Sequence, residues 1–207
     1  MVSYVHTTSA IEEELHPNRE RLPKPYLAIF RVKISGLVNT FRKIYFKSLG
    51  LKIGSGGSLG KITCVWPQQV VIGSNGTIQD RVDFRIGRPF SKNNFIKIGD
   101  RIFLGRDCEF NCSGRIVVGN DVMIGSNTII VDVGHEINVP APINTQPCTI
   151  KDIVINDDVW IGTKCVILQG VEIGKGSVIG AGSMVNRSVP EYEVWAGCPA
   201  RFIKKRN

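Results

Sequence analysis

Three imidazoles are present in this chain of 207 residues: His6, His16 and His135. A histidine is the usual side chain for taking a proton from an attacking group near neutral pH. His6 and His16 fall in a polar, proline-broken N-terminal stretch. His135 falls in "DVGHEINVPAPINTQP", residues 132–147, which interrupts an otherwise regular pattern. The six cysteines, Cys64, Cys108, Cys112, Cys148, Cys165 and Cys198, include no C-x-x-C pair. They read as reduced thiols, mostly small buried apolar side chains, in a cytoplasmic protein. The polar, acidic N-terminus is not expected to act as a leader sequence, and no apolar run approaches the roughly 20 residues of a membrane span. The formal net charge is +8 with a pI near 9.3. The basic residues concentrate between Arg19 and Lys47 and in a tail carrying Arg201, Lys204, Lys205 and Arg206. Basic ends suit an anionic partner: nucleic acid, lipid headgroups or a phosphorylated cofactor. No nucleic-acid motif accompanies them.

The pattern that His135 interrupts counts in sixes. Ile161, Ile167, Ile173, Ile179 and Val185 follow one another at that interval. Earlier come Ile72 and Ile78; then Ile98, Leu104 and Phe110; then, after a slip of two, Val118, Ile124 and Ile130. The count resumes at Ile155. A strand of four or five residues makes a side of roughly 15 Å. Three sides close a coil of about 18 residues, and stacked coils make a solenoid. The aliphatic points inward, and so does the residue four later, as at Cys108, Thr128, Cys165, Ser177 and Ser183. Gly, Asn or Asp after the aliphatic, as at Gly73, Gly99, Gly105 and Gly174, is expected to serve a corner of positive φ. Residues 51–190 would form seven or eight coils, and 132–152 must loop out of the wall. Long loops on compact scaffolds tend to carry function.

The N-terminal 1–50 is expected to be an irregular arm over 1–25 and a basic amphipathic helix, or helix pair, over 26–49. Phe30, Ile34, Leu37, Val38, Phe41, Tyr45 and Leu49 recur at three and four, with Gly36 weakening the middle. This segment caps the first coil, lies peripherally on the inner membrane face, or does both. Residues 191–207 form a short tail.

The stretch "IVINDDVWIGTKCVILQGVEIGKGSVIGAGSMVNRSVPEYEVWAGCPARFI", 153–203, resembles the C-terminal half of hexapeptide-repeat acyltransferases, nearest the sugar O-acetyltransferases of maltose, galactoside and colanic-acid type. Weaker similarity runs back to about residue 41. The resemblance implies an all-β, left-handed parallel β-helix, a homotrimer with sites between subunits, acetyl-CoA as donor and a saccharide acceptor. It implies His135 as the base, with Asp132 or Glu136 orienting its ring. Asn111, in "EFNCSGRI", and Trp160 match acceptor-side positions. Gly162, Gly180 and Ala181 would offer backbone contacts to CoA. Arg187 and Arg201 match positions near its adenine and phosphate end.

The function expected is O-acetylation of a sugar hydroxyl in envelope or capsular polysaccharide synthesis. The alternatives are N-acetylation of an amino sugar or small amine, including antibiotic-type acceptors, and a binding solenoid without catalysis. Zinc hydrolysis of the kind found on related β-helices needs three histidines, and the repeat region has one, so no metal is expected.

Overall fold

The computed structural model describes residues 26–89, 91 and 93–207. The expected arm over 1–25, with His6 and His16, lies outside the described residues. The chain divides into two units, Met1–Leu37 and Val38–Asn207. Of the first, residues 26–37 are helical. They belong to one uninterrupted helix, α1, Tyr26–Ser48, so Gly36 does not split it into a pair.

The second unit winds as the expected left-handed parallel β-helix, with three walls of short strands. The first wall stacks Lys52–Ile53, Val70–Ile72, Phe95–Ile98, Arg115–Val118, Ile153–Ile155 and Glu172–Ile173. The second stacks Ser58–Leu59, Thr77–Ile78, Phe103–Leu104, Met123–Ile124, Trp160–Ile161, Val178–Ile179 and Glu193–Gly197, closed by Ala200–Lys205. The third runs from Thr63–Cys64 through Asp83–Ile86, Glu109–Cys112, Ile129–Val131 and Val166–Ile167 to Met184–Val185. This makes six complete coils and the start of a seventh. The count sits at or below the low end of the expected seven or eight, because the residues of 132–152 leave the wall instead of winding.

Strand periodicity fixes the core. Leu104, Ile124, Ile155, Ile161, Ile173 and Ile179 are buried, and so are the residues four later, Cys108, Thr128, Val159, Cys165, Ser177 and Ser183. Each large aliphatic removed from water stabilises the fold by about 1.5–3 kcal/mol. The buried hydroxyls are bonded: Thr128 Oγ1 donates to the Gly162 carbonyl at 3.1 Å and Ser177 Oγ to that of Pro190 at 2.6 Å.

The corner glycines do a different job from the one expected. Gly73, Gly99, Gly105, Gly125, Gly162 and Gly174 are not at positive φ. A Cβ on Gly125 would lie 2.5 Å from the Thr163 nitrogen, and one on Gly174 2.4 Å from that of Glu191. Glycine is there because the next coil's backbone passes too close for a side chain. The left-handed seat comes two residues further on, at Asn75, Arg101, Asp107, Asp121, Asn127, Asp158 and Lys164, with φ between 54° and 61°. Asn and Asp tolerate that conformation best among the non-glycine residues.

Within the second unit, the C-terminal part of α1 closes the first coil. Phe46 is buried with Leu51 in the core. Asn39 Oδ1 accepts from the Leu59 amide at 2.8 Å, and Arg42 Nη1 donates to the Leu59 carbonyl at 2.6 Å. Lys43 Nζ donates to the Gly56 and Gly57 carbonyls. These side chains satisfy backbone groups that an open sheet edge would leave unpaired.

Candidate functional site

The interruption after Val131 is an arm. Val133–His135 pairs antiparallel with Cys148–Ile150, so that Val133 faces Ile150, Gly134 faces Thr149 and His135 faces Cys148. Its tip is tied by Gln146, whose Nε2 donates to the carbonyls of Asn138 and Ala141, both at 2.8 Å, while its Oε1 accepts from the Asn138 amide. A short 3-10 turn, Ile143–Thr145, completes the tip.

The arm's neck is anchored from both sides. Asp132 is fully buried; its carboxylate accepts from the amides of Ser113 at 2.7 Å and Gly114 at 2.8 Å. Burial holds that carboxyl above its ordinary pKa against the opposing pull of the two amides. Asp132 thereby ties the neck to the wall. Thr149 and Gln169 join their side chains at 3.0 Å beneath the arm. Gly134 leaves room for that junction, since a Cβ would lie 2.5 Å from Gln169 Nε2 and displace it. Arg115 and Asp152 form an ion pair at 2.5 Å where the arm returns to the wall.

His135 is exposed at the outer end of the neck, its Nδ1 3.9 Å from the Sγ of Cys148, also exposed. Glu136 is adjacent in sequence, but its carboxylate accepts from Asn138 Nδ2 at 3.3 Å. Asn111 stands opposite Val131 on the third wall with its side chain outward, and its carbonyl accepts from the Asp132 amide at 3.2 Å. Asn111 and His135 are thus brought to the same break in the wall.

The other expected residues lie elsewhere on the same chain. Trp160 is half exposed on the second wall, in register with Met123, which is in turn in register with Phe103; these form an outward apolar column. Gly162, Gly180 and Ala181 stack at the corner between the second and third walls. The Gly162 and Gly180 amides are already donated to the carbonyls of Ile179 and Trp195, both at 2.8 Å. Ala181 is exposed. Arg187 is exposed beyond the last strand of the third wall, and Arg201 lies on the final strand of the second, opposite Ala196. Arg201 Nη1 donates to the Ala200 carbonyl at 2.8 Å. The short tail is a strand: Ala200–Lys205 pairs antiparallel with Glu193–Gly197, and Arg206 binds Asp158 at 2.8 Å.

A groove of about 490 Å³ opens late on the first wall, between Asn156, Glu172, Lys175, Ser188 and Glu191, and none of the expected site residues lines it. Among the described residues, no group of three or more His, Cys, Asp or Glu converges for a metal ion.

Sequence reasoning missed Cys148, Thr149 and Gln169 at the arm. The signal was present as alternation, Val133 and His135 on one side of the arm, Cys148 and Ile150 on the other. The register that joins them is set by the tip and is not visible in spacing.

Residues 152–187 match the family described as bacterial transferase hexapeptide (six repeats). Galactoside O-acetyltransferase of Escherichia coli is 35% identical over 119 residues, 55% of this chain and 58% of that one. The chain spans about half the length of the curated relatives it matches. A hexapeptide-repeat acetyltransferase of Vibrio cholerae, solved with acetyl-CoA, superposes with a TM-score of 0.56 at 26% identity, over 81% of this chain and 78% of that one. The N-acyltransferase AntD of Bacillus cereus, solved with an amino-sugar nucleotide and CoA, gives 0.70 at 23% identity over 80% and 89%. That last likeness is one of fold.

Proposed function

We propose that this chain, which carries the hexapeptide repeat of bacterial transferases, is an acyltransferase that moves an acetyl group from acetyl-CoA to a sugar hydroxyl, in the building of an envelope or capsular polysaccharide. One observation carries the reading: the stacked coils break after Val131 to project an exposed imidazole, His135, from a braced neck. The name of the E. coli relative supports the acceptor class, and the acetyl-CoA of the Vibrio structure supports the donor.

In this reading His135 takes the acceptor's proton as its oxygen attacks the thioester carbonyl. A C–O bond forms, the C–S bond breaks, and the imidazolium returns the proton to the departing CoA sulfur. Asn111, at the same break, contacts the acceptor, and Glu136 helps to set the ring. Ala181, with the backbone around Gly162 and Gly180, borders the pantetheine arm. Arg187 and Arg201 meet the phosphates, where a guanidinium fork gives charge and geometry together. Trp160 lies on a different wall from His135, so the facing side of the cleft comes from a second copy in a homotrimer. The outward column of Phe103, Met123 and Trp160 suits burial in such a contact. The protein works in the cytoplasm, where acetyl-CoA is available.

The test is CoA thiol release from acetyl-CoA against a panel of sugars, nucleotide sugars and amines, with His135→Ala alongside. A sugar hydroxyl acceptor is expected, with kcat lowered by roughly 10² to 10⁴ in the variant and CoA binding retained. Turnover only with amines would move the reading to N-acylation. No release with any acceptor would leave a binding solenoid.

A further inference from the structure

Residues 38–48 of α1 have two unlike faces. Asn39, Arg42, Lys43 and Phe46 turn to the first coil. Val38, Phe41, Ile44 and Tyr45 turn away from it and are 45%, 70%, 59% and 59% exposed. Residues three and four apart share a helix face, so these four make one apolar stripe. In the sequence the same spacing runs back through Leu37, Ile34 and Phe30, each of them exposed. An isolated surface leucine needs no explanation, but a contiguous stripe of large apolar side chains marks a contact surface.

We propose that this stripe docks on an anionic lipid surface, so that the helix caps the β-helix with one face and lies in a membrane interface with the other. The charge pattern selects the occupant. Tyr26–Ser48 carries five Lys or Arg and no Asp or Glu; with Arg42 and Lys43 engaged by the first coil, Arg31, Lys33 and Lys47 still leave the helix three positive charges. Such a helix, apolar on one face and basic beside it, is drawn to negative headgroups while its apolar side chains enter the acyl boundary. A second copy docked on the same face would bring two uncompensated basic helices together. No helix among the described residues is long and apolar enough to cross a membrane, so α1 would lie along the surface. The inference stands apart from the chemistry at His135, and its readout does not involve activity.

The experiment is sedimentation of the full chain with vesicles of phosphatidylglycerol mixed into phosphatidylcholine, and with phosphatidylcholine alone. Pelleting with the anionic vesicles is expected, several times weaker at high salt and on the neutral vesicles. Phe41→Glu with Ile44→Glu should lower the partition coefficient more than about tenfold, with circular dichroism unchanged. Should that variant fail to fold, Lys47→Gln, which keeps the apolar stripe, should weaken anionic binding about fivefold. Absence of wild-type pelleting on anionic vesicles overturns the proposal, as does equal pelleting by folded variants. So does loss of self-association in the double variant without any lipid binding by the wild type, which would give the stripe to a second copy.

Discussion

His135 and Cys148 face each other across the neck of the arm, Nδ1 to Sγ at 3.9 Å, on two strands that run antiparallel beside walls of parallel ones. An exposed thiol therefore stands beside the imidazole to which the chemistry is assigned. Cys198 is the other exposed cysteine, whereas Cys64, Cys108, Cys112 and Cys165 are buried. Burial pushes the Cys64 thiol up to about 12 and raises the other three, which suppresses the reactive thiolate. A bulky maleimide should label Cys148 and Cys198 in the native protein, and activity should fall with the labelling of Cys148. Cys148→Ser should keep activity and lose the sensitivity. Inhibition that persists in that variant would separate the thiol from the site.

Asp132 locks the arm to the wall through two amides. Asp132→Ala leaves both donors buried and unmet and should cost about 1–3 kcal/mol of stability, with a fall in kcat as the neck loosens. Unchanged urea midpoint and unchanged kcat would show that the neck needs no such tie. The carboxyl also links folding to pH. Its folded pKa is raised, chiefly by burial. Folding thus favours the protonated form, a contribution complete below the ordinary carboxylate pKa and lost as pH rises through the folded value. Wild type should lose stability relative to Asp132→Asn across that window. Parallel melting curves for the two proteins would remove the linkage.

The corners make a paired prediction. Gly125→Ala drives a Cβ to within 2.5 Å of the Thr163 backbone nitrogen and should destabilise by about 1–3 kcal/mol. Lys164→Gly relieves a left-handed lysine at φ 57°. The strain removed, about 1–2 kcal/mol, outweighs or balances the glycine entropy of about 0.5–1 kcal/mol. Stability should hold or rise. Thermal denaturation of both variants checks this, and the opposite order would refute the stacking account of the corner glycines.

Phe46 seats the cap. Phe46→Ala should cost about 3–5 kcal/mol and expose the first coil's edge strands, so aggregation on mild heating should rise. Light scattering during a thermal ramp reads the second effect; wild-type behaviour would mean that α1 is not needed to close the stack.

Arg201→Ala should weaken CoA by about 1.5–3 kcal/mol, the worth of a charge-assisted hydrogen bond. Calorimetry with CoA checks it, and equal affinity would take Arg201 out of the phosphate site.

The walls were legible because strand alternation and three-sided closure together leave few places for an aliphatic every sixth residue. The excursion at 132–152 was legible for the same reason, and His135 with it. The corner glycines were located correctly and explained wrongly. Spacing reports where Gly73 or Gly174 falls, whereas the cause is the approach of another coil many residues away. Asp132 reads as a partner for His135 because the two are near in sequence, yet its bonds go to Ser113 and Gly114. Cys148 was invisible as a neighbour of His135 because an antiparallel return depends on how the tip folds.

Stacking also makes the molecule a ruler. The arm leaves from the fourth coil, and Arg201 rides on the strand that follows the start of the seventh. Between them lie three or four strand spacings of roughly 4.8 Å, or about 15–20 Å along the axis. A gap made of whole coils changes only in whole increments. A ligand that is held at both ends is therefore selected for length by a gauge that point substitutions leave unchanged.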